Sequence, residues 1–327
     1  METKKQAINK LREGDKVDDV FFVKFKKGLR NYKSKEGSYF NLTLSDSSGN
    51  IEYTFWGDSQ NLKVKELYDS LKEDMIVKVR GQVTVFNGKK QLTSNSYDDI
   101  RILKEGEYDE KDFIKPPRKN ADEQYSRLLS VVNEVKDPQL RKLLETVFKD
   151  EKIIENFKKM PGGIEIHHNW VGGLLDHTLE VLDYALLSSR QFPKLDKDLL
   201  ITGALLHDIG KLEELKVTTR IRGTVKGQLL GHIVLGSIFV ARKCEELGID
   251  EELKNKVLHL IVSHHGKEEY GSPKGPMFPE ALAVYYADEL SSKLAEILEF
   301  KDKALEETED RFKPKWPRKK ARNILLR

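Results

Sequence analysis

The hydrophobic pattern of this chain changes period once, and the change falls around Pro116-Pro117. Before that point, short apolar runs rich in Val, Ile, Phe and Tyr are bounded by Gly, Asn, Ser and Asp, the pattern of strands and tight turns. From Asp122 onward apolar residues recur every three or four positions, the pattern of helices packed on one face. Two such patterns cannot share one layer, and 327 residues are enough for two domains with separate cores. The chain is therefore expected to fold as a β-rich unit followed by a helical one.

In the first part, Val17 to Lys26, Tyr39 to Leu44, Ile51 to Phe55, Met75 to Phe86 and Gln91 to Leu103 read as five strands, with Leu62 to Leu71 as a helix after the third. Asn87-Gly88 is a two-residue hairpin signal, and Ser48-Gly49-Asn50 joins the second and third strands. Five strands with a helix after the third is the order of an OB-fold β-barrel. Residues 1–105 are expected to form that barrel, 106–120 a charged linker, 121–312 an all-α domain and 313–327 a basic tail. In the helical part Tyr125, Leu128, Leu129, Val132 and Val135 share one face, as do Leu140, Leu143, Leu144 and Val147 after Asp137-Pro138. These faces fit a core or a subunit interface, so a homo-oligomer stays open.

Composition narrows the setting. At 38% hydrophobic and 34% charged residues, with no apolar run near the ~20 residues of a membrane span, the chain reads as a globular protein. The amino terminus, METKKQAINK, lacks the apolar core of a secretory signal, which predicts a cytoplasmic protein. A single cysteine, Cys244, excludes an intrachain disulfide and a thiolate metal cluster. Net charge is only +3, but Val20 to Ser45 carries six basic residues against one acid, and Lys313 to Arg327 carries seven against none.

All eight histidines fall in the helical part, and five of them stand out as candidate ligands: His177, His207, His232, His264 and His265. Asp208 follows His207 directly, in Gly-Ala-Leu-Leu-His-Asp-Ile-Gly-Lys, and a buried carboxylate in such a setting needs a cation or a metal. His177, His207-Asp208 and Asp288, in that order, make the sequence resemble the HD superfamily of metal-dependent phosphohydrolases. That resemblance implies one ion on His177, His207, Asp208 and Asp288, and a second on Asp208, His232, His264 and His265, with Asp208 bridging. A donor set of nitrogen and oxygen suits Mn²⁺, Fe²⁺, Co²⁺ or Zn²⁺, and the resemblance favours manganese. Lys211, one turn past Asp208, is expected to stabilise phosphoryl oxygens. His168, and less so His167, are expected to line a substrate entrance, whereas His259 reads as structural.

An OB-like domain ahead of such an HD domain, with the stretch from Met160-Pro161-Gly162-Gly163 through His167-His168-Asn169-Trp170 to Leu174-Leu175-Asp176-His177-Thr178, resembles the YhaM family of bacterial 3′-to-5′ exoribonucleases. The resemblance implies stepwise hydrolysis of single-stranded RNA from its 3′ end to nucleoside 5′-monophosphates, with single-stranded DNA open as a second substrate. The residues of the first part point the same way: Lys24, Lys26 and Arg30 to track phosphates, and Tyr32, Tyr39 and Trp56 to stack on bases, with Phe40 and Phe55 in the barrel core. Two other readings stay open: a phosphohydrolase of small nucleotides whose OB domain binds a partner, and a binding or scaffolding protein with an inert site.

Overall fold

The structure is a computed structural model that describes residues 1–164, 168–218, 220–307, 312–313 and 324–325. His167 and most of the basic tail lie outside the described residues. Among the described residues no helix is long and apolar enough to cross a membrane. Residues 1–116 form one compact unit, and residues 117–217 with those from 221 onward form another.

The first unit is a β-barrel. Its strands are β1 (Lys16–Lys26), β2 (Arg30–Asn31), β3 (Ser38–Asp46), β4 (Gly49–Trp56), β5 (Ile76–Phe86), β6 (Lys89–Ser94) and β7 (Ile100–Leu103), with helix α1 (Asn61–Ser70) after β4. They pair in the order β1-β3-β4-β6-β5, and β1 also pairs with β5, which closes the barrel. A bulge between Val23 and Phe25 lets one long strand serve both neighbours: Lys16 to Phe22 pair with β5, and Phe22 to Lys26 with β3. β4 and β6 run parallel, so α1 and β5 supply the crossover between them. Asn87 and Gly88 both take positive φ, 50° and 73°, which is the turn that a two-residue hairpin requires. Alternation along the strands sends Phe21, Phe40, Leu42, Tyr53, Phe55, Val79 and Leu92 into the core. This is the five-stranded OB-fold barrel expected from the sequence.

Two details differ from expectation. The run Gln91 to Leu103 is two strands, because Ser96 and Asp99 cap a short 3-10 turn at Tyr97–Asp99 that ends the β6 ladder. The chain then returns as β7, which pairs with Ile76 to Val79 of β5, beyond the stretch of β5 that pairs with β6. The stretch 106–116, expected to start a linker, is folded onto the barrel: Phe113 is buried with Val20, Phe22, Ile76 and Leu103.

The second unit is helical: α2 (Ala121–Glu134), α3 (Pro138–Phe148), α4 (Glu151–Lys159), α5 (Gly173–Gln191), α6 (Lys197–Leu206), α7 (Lys211–Glu214), α8 (Val225–Leu247), α9 (Glu251–Ser263) and α10 (Pro279–Glu307), with a hairpin of β8 (Leu215–Val217) and β9 (Ile221–Gly223). Asn120, Asp137, Asp150, Asp196 and Asp250 each accept backbone N–H groups at a helix start. Tyr125, Leu128, Leu140, Leu143, Leu144 and Val147 are buried in the same core as α5 and α6, so the two faces noted above are core. α5 packs on α6 and α10, and α8 on α7 and α9. These contacts bring the histidine-bearing segments to one place.

Candidate metal centre

The structure brings all seven expected ligands together. His177 is in the second turn of α5, His207 ends α6, Asp208 lies in the turn before α7, His232 is in α8, His264 and His265 follow α9, and Asp288 is in α10. Two groups form. The ligand atoms of His177, His207 and Asp208 lie within 4.8 Å of one another, and so do those of His232, His264 and His265. Asp208 joins the groups: its Oδ2 is 3.5 Å from His177 Nε2 and 3.4 Å from His207 Nε2, while its Oδ1 is 3.5 Å from His232 Nε2 and 3.7 Å from His264 Nε2. Asp288 Oδ1 is 3.1 Å from His177 Nε2.

Each histidine is held so that Nε2 faces inward. A carbonyl oxygen only accepts hydrogen bonds, so a ring nitrogen against one must carry the proton. His207 Nδ1 donates to the Ala204 carbonyl at 2.9 Å and His264 Nδ1 to that of Ile261 at 2.6 Å. Both acceptors are carbonyls of a last helical turn, which have no backbone partner of their own. His265 Nδ1 donates to the Tyr270 carbonyl at 2.8 Å. His177 Nδ1 donates to Ser291 Oγ at 3.0 Å, whose hydrogen goes on to Glu180. The Nδ1 of His232 faces the Glu214 carboxylate at 3.1 Å. Five Nε2 lone pairs and two carboxylates therefore meet in a buried space, with His177 and His207 Nε2 only 3.2 Å apart.

That arrangement is short of positive charge. Lys211 Nζ supplies part of it, 2.7 Å from Asp208 Oδ2, but Asp208 Oδ1, His232 Nε2 and His264 Nε2 are buried with no hydrogen-bond partner. Donor atoms bound about 2.1 Å from one ion stand roughly 3 to 3.4 Å apart, close to the separations found here. The residues fit divalent metal. Burial pushes the His177 imidazole down to about 4, against the pull of Asp288, and lowers His264 and His265 as well. Burial also opposes charge on His207, but the adjacent Asp208 outweighs it and raises the imidazole. Burial would raise both carboxyls, yet Lys211 and His207 hold Asp208, and His177 holds Asp288, below the ordinary carboxylate range. Every one of these residues lies between positions 174 and 293.

Residues 174–293 match the HD domain family. Residues 23–100 match the family described as OB-fold nucleic acid binding domain. HD domains are metal-dependent phosphohydrolases, so the chain joins a domain of hydrolase type, with a His/Asp cluster suited to metal, to an OB domain. Solved structures similar to this chain include a replication factor A related protein from Methanobacterium thermoautotrophicum, 22% identical over 31% of this chain and 91% of that one, with a TM-score of 0.26. The second OB-fold domain of replication protein A from Methanococcus maripaludis is 19% identical over 32% and 97%, with a TM-score of 0.25.

Two expected roles change in the structure of the HD domain. His168 does not line an entrance: it is 1% exposed, its Nε2 is 2.9 Å from Glu180, and its ring packs between Trp170 and His177. It takes φ of 54°, a left-handed conformation that is costly for histidine, and it backs the His177 ligand instead. Lys211 is not aimed at open space, because Nζ is divided between Asp208 and the Gly162 carbonyl, 2.7 Å from each. It still borders a cavity of about 720 Å³ whose floor holds Asp208, His232, His265 and Asp288. His259 accepts the Met277 backbone N–H and stands outside the cluster.

Sequence reading missed Glu180, Ser291 and Glu214. The first two were within reach, since each lies three positions after a ligand, His177 or Asp288, on the same helical face. Glu214 gave no such signal, because a break in α8 brings His232 to it.

In the OB domain, Tyr32, Tyr39 and Trp56 form one surface group, with ring centroids 5.3, 5.2 and 6.1 Å apart. Tyr39 is directly opposite Trp56 on β4 and Arg30 on β2, so the three share one face. Lys35 covers the Tyr32 ring at 4.2 Å. Lys26 lies over Tyr68 instead, and Lys24 beside Phe25. Trp56 also borders a groove of about 620 Å³ walled by Lys16, Arg80, Gln82, Thr93 and Asn95, residues from separate strands and loops that no spacing groups.

Proposed function

We propose that the chain is a metal-dependent 3′-to-5′ exonuclease that degrades single-stranded RNA, and single-stranded DNA with it, to nucleoside 5′-monophosphates. The observation that carries this reading is the pair of histidine groups joined by Asp208, in which His232 Nε2, His264 Nε2 and Asp208 Oδ1 are buried with no hydrogen-bond partner. His177, His207, Asp208 and Asp288 would hold one ion and Asp208, His232, His264 and His265 the other, with Mn²⁺ as the favoured metal. Divalent ions so held polarise a phosphodiester and lower the pKa of an attacking water. The chain's own residues do the rest. Backbone carbonyls, Ser291 and Glu214 keep each Nε2 unprotonated and aimed. Lys211 offsets the charge of Asp208.

The OB domain supports a strand, not a small nucleotide, as substrate. Stacking on Tyr32, Tyr39 and Trp56 accepts any base, as a processive degrader of sequence needs, and is worth about 1–3 kcal/mol per base. Arg30 and Lys35 stand beside those rings. The test offers the Mn²⁺-supplied full chain single-stranded RNA, duplex RNA, cyclic dinucleotides and nucleoside triphosphates, with products separated by chromatography. Release of 5′-monophosphates from single strands is expected. Turnover confined to the small nucleotides would overturn the reading and favour the phosphohydrolase with a partner-binding OB domain.

A further inference from the structure

α8 is continuous by its hydrogen bonds except at Gly231, where φ is 71° and ψ 158°, a conformation open to glycine almost alone. A Cβ at Gly231 would meet nothing within 4 Å, so the backbone angle is the sole demand for glycine there. The break withdraws the His232 N–H from the helix. Glu214 receives it at Oε1, 3.1 Å away, while His232 Nδ1 lies 3.1 Å from Oε2. One carboxylate thus grips both N–H groups of one residue.

The other ligands are fixed differently. His207, His264 and His265 rest on backbone carbonyls, and His177 on a serine hydroxyl. His232 alone among the histidine ligands depends directly on an acidic side chain, Glu214. Glu214 is itself anchored, since its carbonyl accepts the Thr224 N–H at 2.8 Å.

We propose that Glu214 is a positioning residue for His232, and that with the Gly231 break it sets occupancy of the ion position formed with His264 and His265, leaving the His177, His207 and Asp288 position intact. The inference rests on the two-ion reading of the site. A carboxylate can only accept, so it holds the proton on Nδ1 and leaves Nε2 open toward Asp208. Glutamine keeps the volume but turns an NH₂ toward the ring, which permits the opposite tautomer and closes Nε2.

The test is metal binding by the chelator-stripped full chain, with Mn²⁺ or Co²⁺ titrated calorimetrically and content measured by elemental analysis. Wild type is expected to take two ions. Glu214→Ala and Glu214→Gln should keep the first and bind the second about 10–100-fold more weakly, the usual effect of losing such a partner. Glu214→Asp, still acceptor only, should retain more affinity than Glu214→Gln. Gly231→Ala, a second route to the same lesion, should also weaken the second ion selectively. Unfolding midpoints of the stripped proteins report folding separately. Two ions at wild-type affinity in Glu214→Gln, or parallel loss of both, would overturn the role of Glu214. A wild type that takes one ion or none would overturn the two-ion reading itself.

Discussion

At the scale of single residues, the centre is built by assigning protons. His177 Nδ1–H donates to Ser291 Oγ, the Ser291 hydroxyl donates to Glu180, and Glu180 also meets His168. Burial would raise the Glu180 carboxyl, but His168 and Ser291 hold it down at about 2 against an ordinary 4.5. The unfolded chain therefore takes up this proton near pH 4.5 and the folded one near 2. Stability from the group is complete above that window and is lost as pH falls through it. In the metal-stripped protein Glu180→Gln should flatten the fall of the unfolding midpoint between pH 4.5 and 2, and an unchanged acid limb would mean that the chain of bonds is absent. Cys244 is buried, and burial pushes its thiol up to about 11. It should resist thiol reagents at pH 8 in the native protein and react promptly once denatured, because the thiolate is the reactive form.

At the scale of elements, reach into the sequence was uneven, for physical reasons. Val17 to Phe55 and Tyr125 to Val147 were legible because their period matches the burial they achieve. The strand expected at Gln91 to Leu103 was not, since Ser96 and Asp99 make a local cap that competes with the ladder. The ligand positions were legible from residue type, whereas the angle at which α8 presents His232 was not, since Gly231 in a long apolar helix looks like any tolerated glycine. That angle carries its own prediction. Gly231→Ala should destabilise the stripped protein by about 1–3 kcal/mol, the strain of that conformation for a residue with a side chain. A midpoint equal to wild type would show that α8 can run through unbroken. Gly210 is tight in another sense: a Cβ there would meet the His232 carbonyl at 1.9 Å, so α8 can press against the turn that carries Asp208 only over glycine.

At the scale of the whole molecule, two units of different construction are joined in one chain, a barrel with an aromatic face and a helical unit with a cluster of nitrogen and oxygen donors. If the barrel supplies strand binding and the helical unit supplies hydrolysis, damage to each should separate. Tyr39→Ala with Trp56→Ala should weaken single-stranded RNA binding by roughly 10-fold or more, on the order expected for lost stacking, and leave metal content and cleavage of a simple phosphodiester unchanged. Equal RNA affinity in the double variant would remove the barrel face from the account. The most direct measurement of the central claim is digestion of a 5′-labelled single-stranded RNA with Mn²⁺, beside the matching DNA and with Asp208→Ala as control. The account predicts a ladder that shortens from the 3′ end and vanishes in the variant; an intact strand with metal-loaded wild type, or a ladder that persists in Asp208→Ala, would contradict it.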